Sequence, residues 1–212
     1  MQNDLEPASC DAAPKRGRGR PRAFDRVAAL DAAMRLFWRK GYSATSITDL
    51  MEAMGIASPS LYAAFGSKEQ LYAEALDHYL RSNEHLVWQR FFAAETARAA
   101  LGCFLEDSAL NLGQSRDGCM VTLSAVGSEG YAALGATVCS ARAETLHRLE
   151  SRLAAGVTAG EISADVDLHG LARFVQSVQA GMAILARDGA TAGELAAVAH
   201  TALLGVDRQL AG

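Results

Sequence analysis

Two short stretches of this chain have side chains whose types and spacing suit contact with a polyanion. Residues 14–22, PKRGRGRPR, carry five positive charges and no negative one. Cations packed that densely neutralise phosphates, and the interleaved glycines let a backbone approach closely. Residues 58–65, SPSLYAAF, read as a two-turn helix with Pro59 at a favoured first position. Leu61 and Phe65 fall on its inner side, so Ser58, Ser60, Tyr62 and Ala63 face outward. A helix this short and small-faced can enter a groove about 12 Å wide. Residues 56–67 contain no Lys or Arg, so this helix cannot read guanine through an arginine and has little electrostatic grip of its own.

Other chemistries fare worse. Glu144-Thr145-Leu146-His147 is an E-x-x-H, the spacing with which a helical di-iron site aims two ligands inward. Such a site needs a second copy and two further carboxylates, and one copy is present. Gly17-Arg18-Gly19 follows no strand, so it is not a dinucleotide loop, and no H-E-x-x-H, G-x-S-x-G or Walker sequence occurs. An enzyme is not expected, nor is a cofactor or a metal. Cys10, Cys103, Cys119 and Cys139 form no C-x-x-C pair; buried apolar filling is expected for the last three, with redox sensing as the alternative.

The elements that must position these residues follow from periodicity and capping. Up to about residue 23, Pro, Gly and charge dominate without apolar periodicity, which predicts a flexible basic arm over residues 1–23. Asp25 can cap a helix with Val27, Leu30, Met34 and Phe37 at helical spacing, ended by Gly41. Ser46 to Asp49 forms a capping box for a second helix carrying Ile47, Leu50, Met51 and Met54. Gly55-Ile56-Ala57 is the turn, Ser58 is expected to cap the third helix, and Ser67 opens a fourth with Leu71, Ala75 and Leu76. Two short helices joined by a glycine turn and braced by longer ones make a helix-turn-helix.

Beyond residue 80 the patterns are helical and Ala-rich, over about 84–93, 95–113, 118–128, 130–156, 167–188 and 193–211, with no convincing strand. The fold class is therefore all-α: a three-helix DNA-binding unit at 24–70 and a larger helical unit at 71–212. The last two segments have wide apolar faces, with Val178 and Leu203 among them, which suits a four-helix bundle with a second copy.

Charge is distributed accordingly. The chain of 212 residues has a net charge of −4, yet residues 14–68 hold ten Lys/Arg against four Asp/Glu, and residues 69–212 hold ten against seventeen. A basic N-terminal unit on an acidic body points to a polyanionic partner at that end. The first thirteen residues lack a charged leader and an apolar run, and the longest uncharged apolar stretch, 174–186, is too short to span a bilayer. A cytoplasmic protein with no membrane partner is expected.

From Phe24 to Leu71 the sequence resembles the DNA-binding domain of the tetracycline-repressor (TetR) family of bacterial transcriptional regulators. The resemblance rests on Ala32-Ala33, Leu36-Phe37, Gly41-Tyr42, Thr45, Ile47, Leu50, Met54-Gly55-Ile56, Ser60-Leu61-Tyr62, Phe65 and Lys68. It implies phosphate contacts from Thr45, Tyr62 and Lys68, and a regulator that holds a near-palindromic operator as a homodimer until a small-molecule effector displaces it. The family often places a basic residue where Ser58 stands and larger polar groups where Ala63 and Ala64 stand. The basic arm then becomes the natural source of charge, since Arg-Gly-Arg-Pro at 18–21 has the form of AT-hook-like arms that lie in the minor groove. The candidate DNA-contacting set is Arg16, Arg18, Arg20, Arg22, Thr45, Ser46, Ser58, Pro59, Ser60, Tyr62, Ala63 and Lys68. For an effector cavity the candidates are Trp88, Phe91, Phe92, Phe104, Met120, His147, Phe174, Gln179 and Met182. A constitutive or redox-responsive regulator is the alternative.

Overall fold

The computed structural model describes residues 25–211. The arm residues Arg16, Arg18, Arg20 and Arg22 lie outside the described residues. Nine helices and no strand occur among those described: α1 (Arg26–Lys40), α2 (Ile47–Met54), α3 (Ser58–Phe65), α4 (Lys68–Ala93), α5 (Ala97–Ser115), α6 (Met120–Leu123), α7 (Ala132–Thr158), α8 (Leu168–Arg187) and α9 (Ala192–Leu210).

Capping chemistry sets the start of the N-terminal unit. Asp25 accepts from the N–H groups of Val27 and Ala28. Ser46 and Asp49 form a reciprocal capping box on α2, and Gly55 closes that helix in the left-handed conformation at φ 65°. The start of α3 corrects the expectation for Ser58. The cap residue is Ala57, which offers no side-chain bond, and Ser58 already lies inside the helix. Pro59 then falls in the first turn, where its missing N–H costs nothing.

Leu50, Leu61, Phe65, Leu71 and Leu76 meet Phe37 and Ala33 in one buried cluster. Each such side chain removed from water contributes about 1.5–3 kcal/mol before entropy is counted. This cluster does not stop at the helix-turn-helix. It includes Tyr72, Ala75 and Tyr79 of α4, and Met120, Val121, Val126, Leu134 and Val138 from α6 and α7 and the loop between them.

Helix α4 is the second correction. The two segments expected around residues 67–80 and 84–93 are one helix of 26 residues. No Gly or Pro interrupts residues 67–93, and the Asn83 amide donates to the Tyr79 carbonyl at 2.8 Å instead of breaking the turn. A boundary between residues 70 and 71 therefore falls inside a continuous helix, whose far end supplies Val87, Trp88 and Phe91 to a separate core built by α5, α7, α8 and α9.

The helix expected over 118–128 shrinks to Met120–Leu123. Gly118 enters it at φ 73°, and a Cβ there would meet the Ala183 carbonyl oxygen at 2.7 Å. Only glycine allows this loop to lie against α8. Cys139, expected to be buried, is exposed, while Cys103 and Cys119 are half-buried.

The capping box on α2 also makes a pH sensor of the domain's stability. The Lys40 ammonium, 2.8 Å from Asp49, is the main cause that holds the Asp49 carboxyl at about 2, below its ordinary 3.8; the Ser46 N–H and hydroxyl add to it. Because the folded value is the lower one, this stabilisation is complete above the unfolded value and is lost as pH falls through the folded one. Thermal melts should therefore show stability lost from about pH 4 down to about pH 2, and Asp49→Asn should flatten that part of the profile. An unchanged acid limb in the variant would refute the assignment.

Candidate nucleic-acid interface

The outward face of α3 presents small groups around one aromatic. Tyr62 is 46% exposed, Pro59 and Ala63 are exposed, and Ser58 and Ser60 are half-buried. Leu61 and Phe65 are buried beneath them. The helix is about 12 Å long at 1.5 Å per residue, short enough to sit within a major groove.

Arg26 holds α3 in place, a role that its position in the sequence does not suggest. Its Nη2 donates to the Ala64 carbonyl at 3.2 Å and pairs with Glu74 at 2.7 Å, and the guanidinium lies 4.5 Å from the Phe65 ring centroid. One side chain thus ties α1, the C-terminal carbonyls of α3, and α4 together.

The phosphate candidates separate on burial. Thr45 is fully buried and its hydroxyl donates to the Gly41 carbonyl at 2.7 Å. That corrects the expectation of a side-chain phosphate contact, because Thr45 braces the α1–α2 turn from inside. Ser46 is exposed; its oxygen accepts the Asp49 N–H at 3.0 Å, and its hydroxyl also helps to hold the Asp49 carboxyl low.

Lys68 opens α4, where free N–H groups and the helix dipole also favour an anion. Its ammonium lies 4.2 Å over the Tyr42 ring. Burial pushes its pKa down from the ordinary lysine value, partly offset by the Glu69 and Glu129 carboxylates. Burial also raises the Tyr42 hydroxyl, assisted by its hydrogen bond to Glu69, so the ring stays a neutral platform.

Five basic residues occur between 25 and 68, and four of them are ion-paired. Arg26 pairs with Glu74, Arg35 with Asp31, Arg39 with Asp117 and Lys40 with Asp49. Lys68 instead stacks on Tyr42. The helix-turn-helix therefore has the shape of a groove reader but few cations uncommitted to carboxylates.

Above this unit, α4 to α8 line a half-open cavity of about 570 Å³. Of the expected lining residues, Trp88, Phe104 and Gln179 line it. Phe91, Met120 and Met182 are buried in the two cores. Phe92, His147 and Phe174 are exposed; helical phase alone did not tell an inward aromatic from an outward one. Glu144 of the E-x-x-H accepts from Arg148 Nε at 2.9 Å, and no group of three His, Cys, Asp or Glu among the described residues could hold a metal ion. Among the described residues no helix is long and apolar enough to cross a membrane.

Cavity and reading unit share structure. Val121 and Cys119 line the cavity, while Met120 and Val121 belong to the N-terminal core. Tyr131, after α6, lies 4.5 Å from the Tyr42 ring, and Ser43 donates to Glu129 at 2.6 Å. Arg187 at the end of α8 donates to the carbonyls of Trp38 and Asp117.

Fold and site together define a helix-turn-helix DNA-binding regulator with a separate helical domain containing a cavity. Residues 29–75 match the profile of bacterial regulatory proteins of the tetR family. The chain is 38% identical over 194 residues to the transcriptional repressor ComR of Escherichia coli K12, covering 89% of this chain and 92% of that protein. It is also 47% identical over 62 residues to the repressor BdcR of the same strain, which covers 29% of this chain and 32% of BdcR. The TetR-family regulator CifR, solved as a cysteine mutant with a 26-base-pair double-strand operator, superposes with a TM-score of 0.81 at 38% identity, covering 87% of this chain and 98% of that one. This chain belongs to the TetR family of transcriptional regulators, whose members bind DNA and are not enzymes.

Proposed function

We propose that the chain is a cytoplasmic homodimeric repressor that holds a near-palindromic operator and lets go when a small molecule enters the α4–α8 cavity. The observation that carries this reading is the double membership of α6. The same four-residue helix lines the cavity and packs in the core that orients α3. Whatever fills the cavity must therefore act on the angle at which α3 is presented.

In this reading Tyr62, Ser58, Pro59, Ser60 and Ala63 meet the major groove, and Ser46 and Lys68 meet phosphates on either side. Arg16, Arg18, Arg20 and Arg22 follow the adjacent minor groove. Operator fragments selected from random DNA by the purified protein should share two related half-sites, and footprinting should protect both. A ligand that binds the cavity should lower operator affinity by a coupling of about 1–3 kcal/mol, with DNA weakening the ligand by the same factor. Operator affinity indifferent to every cavity ligand would overturn the release mechanism.

A further inference from the structure

The charges facing the cavity identify the kind of molecule that fits it, if the larger domain takes an effector as proposed above. Three charged side chains line the cavity, Glu84, Arg142 and Arg173. Glu84 pairs with Arg148 at 2.6 Å, a guanidinium that it shares with Glu144. Arg142 is half-buried and, among the described residues, its hydrogen bonds go to main-chain carbonyls. Its Nε and Nη2 donate to the oxygen of Val121 at 3.1 and 2.9 Å, and Nη2 also reaches Thr122 at 2.9 Å and Ser124 at 2.7 Å. Carbonyl dipoles fix a guanidinium without cancelling its charge, so a positive field remains inside walls of low polarizability. Arg173 is exposed and, among the described residues, donates to the neutral Gln176 amide oxygen at 3.2 Å.

A second observation on another helix points the same way. Ser108 of α5 is buried, lines the cavity, and its hydroxyl has no hydrogen-bond partner among the described residues. Leaving such a group unsatisfied costs about 1–3 kcal/mol, so it is a donor waiting for an acceptor. The walls combine apolar Val87, Trp88, Phe104, Leu112 and Leu146 with the neutral amides of Asn83, Asn111 and Gln179. The volume suits one small organic molecule.

We propose that the effector is an organic carboxylate with an apolar body, its carboxylate bound to the Arg142 guanidinium and a polar atom of the same molecule accepting from Ser108. Such a ligand competes with the α6 carbonyls for the Arg142 guanidinium. Binding then loosens the clamp on Val121, Thr122 and Ser124, the segment that also packs beneath the helix-turn-helix. The site and the release mechanism become one device.

Calorimetry on the full-length protein tests this, with straight-chain carboxylates of about four to twelve carbons, phenylalkanoates, and the matching primary alcohols as probes, a range set by the cavity volume. At least one carboxylate should bind about tenfold or more tighter than its alcohol, the size of one charge-assisted hydrogen bond. Arg142→Met should bring that preference close to one, read as the ratio of acid to alcohol affinity within the variant. Should Arg142→Met fail to fold, Ser108→Ala decides, because it removes only an unsatisfied hydroxyl and should weaken the carboxylate about three- to tenfold. Alcohols binding as well as acids, a preference that survives both variants, or no binding across the series would each overturn the proposal. Operator affinity is measured separately. Arg142-dependent carboxylate binding without operator release would refute the release reading and leave the site standing, whereas release by alcohols alone would do the reverse.

Discussion

Removal of residues 1–22 is expected to cost far more operator affinity than loss of an ordinary tail, and to change how affinity depends on salt. Within the folded unit, ion pairs already occupy Arg26, Arg35, Arg39 and Lys40. A cation already paired with a carboxylate releases few counterions when DNA arrives, so the folded unit alone should show a shallow salt slope. PKRGRGRPR brings five further charges to the start of α1. If four of them each neutralise one phosphate, deletion flattens the slope of log K against log[salt] by about 3.6 units per arm, at about 0.9 per contact. Between about 50 and 200 mM salt that is a difference of about a hundredfold per arm.

Single substitutions separate the two roles of the arm. Arg18→Ala and Arg20→Ala should weaken binding most where the half-site is flanked by A·T pairs, because a narrow minor groove concentrates negative potential. Lys15→Ala should weaken all sequences alike. Lys68→Ala, on the rim of the folded unit, should flatten the slope by only about one unit per subunit. Equal slopes and equal flank preference with and without the arm would show that it contributes nothing to binding.

The same residues show how far the sequence could be read. The inward set Leu50, Leu61, Phe65 and Leu71 was legible because capping residues and helical spacing fix which side of a short helix is apolar, and each of these side chains is buried. Thr45 was not, because a hydroxyl bonded to a carbonyl four residues back leaves no trace in composition. Propensity points to Ser58 as the cap of α3 because Ser is a better cap than Ala, yet the helix takes Ala57 as its cap without a side-chain bond and includes Ser58. In the larger domain Phe91 and Phe104 share one buried core, and periodicity could not tell that Phe104 also borders the cavity while Phe91 does not. Arg142 was missed altogether. Its partners are carbonyls 18 to 21 residues away, a relation that side-chain types do not encode.

Leu204→Asp is expected to give a monomer that folds and has lost most of its operator affinity. Along α8, Phe174, Val178, Gly181 and Leu185 recur at helical spacing, and Phe174 and Leu185 are exposed large apolar side chains. Leu204 on α9 is 58% exposed, and the Phe174 ring lies 3.8 Å from where a Cβ on Gly205 would be. The two helices thus present one apolar strip that the protomer leaves uncovered, the kind of surface that a second copy buries when two helix pairs form a bundle. Light scattering should give about 45 kDa for the wild type, twice the 22.4 kDa chain, and about half that for the variant. Loss of the second half-site removes an avidity of about 10²–10⁴. Leu203, which the helical pattern offers as an equivalent position, is the informative contrast. It is 6% exposed and packs in the protomer's own core, so Leu203→Asp should bury an unpaired charge and unfold the larger domain. A wild-type monomer that still protects both half-sites would refute the dimeric mechanism. A Leu204→Asp variant that stays dimeric would show that the α8–α9 strip is not the dimer surface.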